Sequence, residues 1–181
     1  MEPPRRLPVI GVMGSSRETH TERAGRVGAW LAGLGVHLLT GGGGGVMESV
    51  SRAFHLTTPR KGLVIGVVPG EPYEDGVRFR DGYPNPWVEI PIFTHLPLRA
   101  ERGNEPLSRN HINVLSSNAI IALPGSAGTA SEVSLALRYG RPVVAYLEDA
   151  RQIDGLDDAA VVEPDFAKVQ EFVKKALGAG C

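Results

Sequence analysis

Cysteine is all but missing from this chain, and Cys181 is the only one. A disulfide framework within one chain is thereby excluded, and a reducing compartment, the cytoplasm, is the expected location. Long apolar runs are missing too. None approaches the roughly 18 residues that a spanning helix needs, so no membrane-spanning segment is predicted. Nor is there a surplus of charge, because 19 lysines and arginines face 20 acids for a net −1. That balance gives no electrostatic draw towards nucleic acid or an anionic membrane. The histidines (His20, His37, His55, His95 and His111) fall without metal-ligand spacing, so no metal site is expected.

Three familiar site patterns are absent as well. The first apolar strand ends Gly11-Val-Met-Gly14 without a following Gly-x-Gly-x-x-Gly, and the second ends in Thr40 with no acid to hold a ribose, which argues against dinucleotide binding. No Gly-x-x-x-x-Gly-Lys-Ser/Thr loop occurs. Ser126 has Pro124, not glycine, two residues before it, so the nucleophile elbow Gly-x-Ser-x-Gly is also missing.

What is present is alternation. The 181 residues are enough for one domain with a sizeable core. Residues 1–8, Met1-Glu-Pro-Pro-Arg-Arg-Leu-Pro8, have arginines but no apolar segment behind them; they predict a flexible tail rather than a signal peptide. Residues 9–181 then read as a single domain. Strands are predicted at Pro8–Met13, His37–Thr40, Leu63–Val68, Trp87–Ile92, Ala119–Leu123 and Pro142–Leu147. Between them apolar residues recur at helical spacing: Ala24, Val27, Leu31 and Leu34; Val46, Val50, Ala53 and Phe54; Val133, Ala136 and Leu137; Phe166, Val169, Val173, Ala176 and Leu177. Asn110–Leu115 reads as a short helix. The order predicts an α/β fold with three layers, a Rossmann-like doubly wound parallel sheet with helices on both faces. Two stretches break the pattern, Gly70–Pro86 and Thr94–Pro106. Both follow the carboxyl end of a strand, where loops in such sheets serve ligands.

Two strand-to-helix turns stand out. In Thr40-Gly-Gly-Gly-Gly-Gly-Val-Met-Glu48, consecutive glycines at Gly41, Gly42, Gly43, Gly44 and Gly45 leave the backbone bare where a helix begins, so N–H groups can converge on an anion. In Leu123-Pro-Gly-Ser-Ala-Gly-Thr-Ala-Ser-Glu132, a buried strand again runs into glycines and a helix, with Thr129 placed to cap it or to touch a phosphate oxygen. Taken alone, Glu132 can simply favour the helix dipole, and Arg109 can be a surface ion pair. Two such turns in one sheet favour a shared phosphate site.

Thr40–Glu48 and Pro124–Glu132 resemble the paired motifs of the lysine decarboxylase-like superfamily, whose members include the LONELY GUY-type phosphoribohydrolases and the molybdenum cofactor carrier proteins. The second motif, Pro-Gly-Gly-x-Gly-Thr-x-x-Glu, is matched except for Ser126 in place of a glycine. The resemblance runs from about Ile10 to Leu147. It implies a ligand site at Gly14, Ser15, Ser16, Gly41–Gly45, Met47, Glu48, Arg109, Asn113, Pro124, Gly125, Ser126, Ala127, Gly128, Thr129 and Glu132. In the hydrolases the arginine corresponding to Arg109 acts with the motif glutamate, here Glu132. In such an enzyme Glu132 would stabilise a cationic sugar as a base departs, and Arg109 would clamp the phosphate. Asn110 and Asn118 stand where the hydrolases have lysine and aspartate, which brings the chain closer to the carrier branch. The implied ligand is accordingly a phosphorylated pterin, the molybdenum cofactor, with a nucleoside monophosphate as the alternative; no cofactor is expected to be needed for folding. A homodimer or homotetramer is also implied, with the stripe of Val133, Ala136 and Leu137 as one candidate face. No pyridoxal lysine is found, since Lys61, Lys168, Lys174 and Lys175 lie off these motifs.

Overall fold

The structure, a computed structural model, describes residues 6–178. The first five residues of the expected tail, and Cys181, lie outside the described residues. The strands are β1 (Val9–Met13), β2 (His37–Thr40), β3 (Val64–Val68), β4 (Gly70–Tyr73) and β5 (Gly76–Phe79), followed by β6 (Ile90–Phe93), β7 (Ala119–Ala122), β8 (Val143–Ala145) and β9 (Val161–Val162). The helices are α1 (Thr21–Leu34), α2 (Val46–Leu56), α3 (Asn110–Leu115), α4 (Ala127–Arg138) and α5 (Phe166–Gly178). None among the described residues is long and apolar enough to cross a membrane.

Seven strands form one sheet in the order β6-β3-β2-β1-β7-β8-β9, and every neighbouring pair in it is parallel. Side chains of a strand alternate between faces, and here each face has its own core. Ile10, Val12, Leu38 and Ile121 pack with Val27 and Leu31 of α1, Val50 and Phe54 of α2, and Val169 and Val173 of α5. Met13, Leu39, Ile120 and Ala122 pack with Val114 of α3 and with Val133, Leu135 and Ala136 of α4. This is the three-layer, doubly wound sheet that the alternation predicts. The chain first builds outward from β1 through β2 and β3 to β6, then returns to the other side of β1 with β7. The direction of winding therefore reverses between β1 and β7.

The structure corrects several expectations. Gly70–Pro86 is not all loop: β4 and β5 form an antiparallel hairpin, with Gly70 opposite Phe79 and Tyr73 opposite Gly76. Val77 and Phe79 do alternate with Arg78 and Arg80, but the pair is so short and so exposed that glycine, proline and acid mask the period. The strand expected at Trp87–Ile92 is shifted to Ile90–Phe93, an exposed edge. The one expected at Pro142–Leu147 is trimmed to Val143–Ala145, and β9 is too short to leave a pattern. The stripe of Val133, Ala136 and Leu137 turns towards the sheet. Val133 and Ala136 are fully buried in the chain's own core and Leu137 packs against it.

Candidate functional site

Open parallel sheets bind ligands outside the carboxyl ends of the strands, where the winding reverses. At that point β1 runs into Gly14-Ser15-Ser16, β2 into the glycine run and β7 into Pro124-Gly125-Ser126. Ser15 ties the three together. Its N–H donates to the Pro124 carbonyl (3.0 Å), and its own carbonyl accepts the Val46 N–H at the start of α2 (2.8 Å). A cavity of about 120 Å³ opens beside it. Its floor is buried and includes Met13, Gly41, Met47, Arg109, Asn110, Thr129 and Glu132, while Ser16, Tyr83, Arg99, Ala100, Ser126 and Gly128 form the more exposed rim.

The first turn of a helix leaves N–H groups without intrahelical partners. In α4 the helical ladder starts with the Ala130 N–H donating to the Ser126 carbonyl (3.0 Å), and the Ser126 side chain caps nothing. The N–H groups of Ala127, Gly128 and Thr129 thus stand free at the positive end of the helix dipole, where an anion is stabilised. Gly128 keeps this end open: a Cβ there would meet nothing closer than the Ala100 Cα, 3.8 Å away.

The glycine run after β2 divides its work differently from the expected cradle of five N–H groups. Only Gly41 lines the cavity. A Cβ on Gly41 would lie 2.8 Å from the Arg109 Cζ, so glycine makes room for that guanidinium. A Cβ on Gly43 would lie 2.5 Å from the Tyr83 Cζ and displace the ring. Gly42 and Gly45 have φ of 75° and 63°, a region that side chains rarely tolerate.

Arg109, at the start of α3, is 7% exposed, and its Nε and Nη1 have no hydrogen-bond partner. The surface ion pair considered for it from the sequence is therefore not what forms. Glu132, in α4, is 8% exposed and accepts a bond from the Asn113 Nδ2 (2.9 Å), whose own Oδ1 is buried without a partner. Burial pushes the Glu132 carboxyl above the usual carboxylate range, against the opposing pull of the Arg109 charge and the Asn113 hydrogen bond. A carboxyl raised in the folded state binds its proton more tightly there than in the unfolded chain. Its contribution to stability is fully present below the ordinary carboxylate pKa of about 4.3 and is lost as pH rises through the raised value. Urea denaturation of the apoprotein across this range should show wild type losing stability relative to Glu132→Gln, which keeps the Asn113 bond without the charge. Parallel pH profiles for the two proteins would show that Glu132 is not the group responsible.

Among the residues singled out from the sequence, Gly14, Ser16, Gly41, Met47, Arg109, Ser126, Gly128, Thr129 and Glu132 line the cavity. Ser15, Gly42, Gly43, Gly44, Gly45, Asn113, Pro124, Gly125 and Ala127 shape or support it from behind, and half-buried Glu48 does not reach it. Tyr83, Arg99 and Ala100 join it from the two long loops, and none was singled out as a residue. Only the position of those loops after strand ends pointed to them. Asn110 also lines the cavity, held by its Nδ2 donating to the Ser131 Oγ (2.8 Å). Ala100 has φ 51°, a strained conformation for a residue other than glycine and one that concentrates at functional sites.

The sequence pattern that defines the SLOG cluster4 family matches residues 7–171. The chain belongs to that family. An uncharacterised protein of Archaeoglobus fulgidus is 35% identical over 153 residues, covering 83% of this SLOG cluster4 chain and 87% of that protein. Among solved structures, the molybdenum cofactor carrier protein of Chlamydomonas reinhardtii is 30% identical with a TM-score of 0.66, over 96% of this chain and 99% of that one. The molybdenum cofactor binding protein of the phototrophic bacterium Rippkaea orientalis is also 30% identical, with a TM-score of 0.67 and the same coverage. DNA processing protein A of Helicobacter pylori, 16% identical with a TM-score of 0.62, shares the fold alone. The resemblance read from the two motifs therefore holds, and the doubly wound sheet of this SLOG cluster4 chain is the fold of the carrier proteins.

Proposed function

We propose that this chain binds a phosphorylated pterin and serves as a carrier or store of the molybdenum cofactor. The observation that carries the reading is the meeting, at one cavity with a buried floor, of the free N–H groups of α4 with the Arg109 guanidinium, whose Nε and Nη1 have no partner. Both demand an anion, and a phosphate monoester supplies several acceptor oxygens to charge-assisted hydrogen bonds. The similar solved structures, named as a molybdenum cofactor carrier and a molybdenum cofactor binding protein, support that cofactor as the phosphorylated group. A carrier needs no group poised to break a bond, and Arg109 then holds the phosphate rather than assisting catalysis.

Mass spectrometry of small molecules released from the native protein tests this directly, with a phosphorylated pterin as the expected species. A base-release assay with AMP, GMP and isopentenyl-adenosine monophosphate is the second arm. Wild type should release no base. Clear release that vanishes in Glu132→Gln would move the chain to the phosphoribohydrolases, with Glu132 stabilising the cationic sugar.

A further inference from the structure

We propose that Tyr83 is the residue that recognises the ring of the ligand, so that the site selects phosphate esters carrying a flat heterocycle over bare anions and sugar phosphates. The inference rests on the anion site proposed above and assigns a role to the loop that enters it.

Tyr83 is half-buried yet belongs to neither hydrophobic core. Its ring rests where a side chain on Gly43 would otherwise stand, and it borders the same cavity as Arg109 and Gly128. The loop bearing it is fastened rather than loose. Asn85, 3% exposed, donates its N–H to the Gly42 carbonyl (2.7 Å) and its Nδ2 to the Gly43 carbonyl (2.9 Å). Its Oδ1 accepts the Trp87 N–H (3.1 Å), and the Tyr83 N–H donates to the Arg80 carbonyl (3.1 Å). These bonds hold the backbone that carries the ring before any ligand arrives, which lowers the ordering cost of binding.

Space points the same way. Pockets that enclose a whole cofactor-sized ligand run to about 300–1,000 Å³. The cavity of about 120 Å³ takes the anionic end, and the remainder of the molecule must pass the rim. Of the two large side chains there, Arg99 is drawn towards Glu71 (3.6 Å). Tyr83 is the aromatic one, and aromatic surfaces favour offset or edge-on contact with another flat ring.

Calorimetry with 6-hydroxymethylpterin monophosphate and with ribose 5-phosphate tests the assignment. Wild type should bind the pterin ester more tightly by about tenfold, a margin of the size aromatic contacts supply. Tyr83→Ala should lose that margin while binding ribose 5-phosphate as wild type does, and Tyr83→Phe should keep it. An undiminished margin in Tyr83→Ala overturns the inference. So does equal weakening of both esters, which would mean that the ring only shields the glycine loop. A wild type that binds ribose 5-phosphate and the pterin ester alike overturns the inference but leaves the anion site standing. A wild type that binds neither overturns both.

Discussion

Gly128→Val should abolish ligand binding and leave the fold intact. The glycine sits in the first turn of α4, with a free N–H on either side of its own. Nothing lies closer than the Ala100 Cα, 3.8 Å from the position a Cβ would take, so the helix backbone can accept a Cβ without shifting. Valine methyl groups would instead occupy the space over those N–H groups. Each hydrogen bond to a charged group contributes about 1.5–3 kcal/mol, so losing two weakens affinity by at least about a hundredfold. Stability should hold, because valine is a weak helix former but still no worse in a helix than glycine. Calorimetry for affinity and thermal melting for stability read the two effects separately. Wild-type affinity in a normally folded variant would place the anion elsewhere. Gly43→Val is a poorer probe, since it would first drive Tyr83 out of position.

Arg109→Met should produce two changes of opposite sign. Without ligand, the guanidinium is a buried charge with two nitrogens unpaired. Groups left in that state cost about 1–3 kcal/mol each, and methionine fills the stem's volume with no charge. The lost attraction to Glu132 offsets part of this where that carboxyl is ionised, so the empty protein should gain stability at low pH, where Glu132 is protonated. Binding of the phosphorylated ligand should fall by about a hundredfold, because the strongest donor to the anion is gone. An arginine that merely braced α3 would behave the other way. Loss of stability with unchanged affinity, measured by urea denaturation and calorimetry, would refute a ligand-holding role.

Much of this architecture could be read from the residues. The continuous apolar runs at Val64–Val68 and Ala119–Ala122 are what strands covered on both faces require, and each has a neighbouring strand on either side. The second glycine turn was legible because its free N–H groups follow from helix geometry alone. The first was only half legible. Five glycines announce close approach, but not that a guanidinium and a phenol are what approach Gly41 and Gly43. Those partners lie some 40 to 70 residues further on, at Tyr83 and Arg109, and no local period brings them there. The hairpin of β4 and β5 escaped for a related reason: it is exposed, so its apolar residues carry no burial signal.

Because all seven strands of the main sheet point the same way, the molecule has two rims with separate duties. Glycine marks both. On the far rim Gly35 and Gly140, with φ of 76° and 62°, only turn the chain out of α1 and α4 and back to the next strand. There Asn118 clasps the start of β1, its Oδ1 accepting the Val9 N–H (2.8 Å), at the opposite end of the strand from the cavity. A strand of this length separates the rims by about 15 Å. The near rim can therefore be remodelled for a new cargo while the far one preserves the frame, and labels or fusion partners for tracking that cargo belong on the far side.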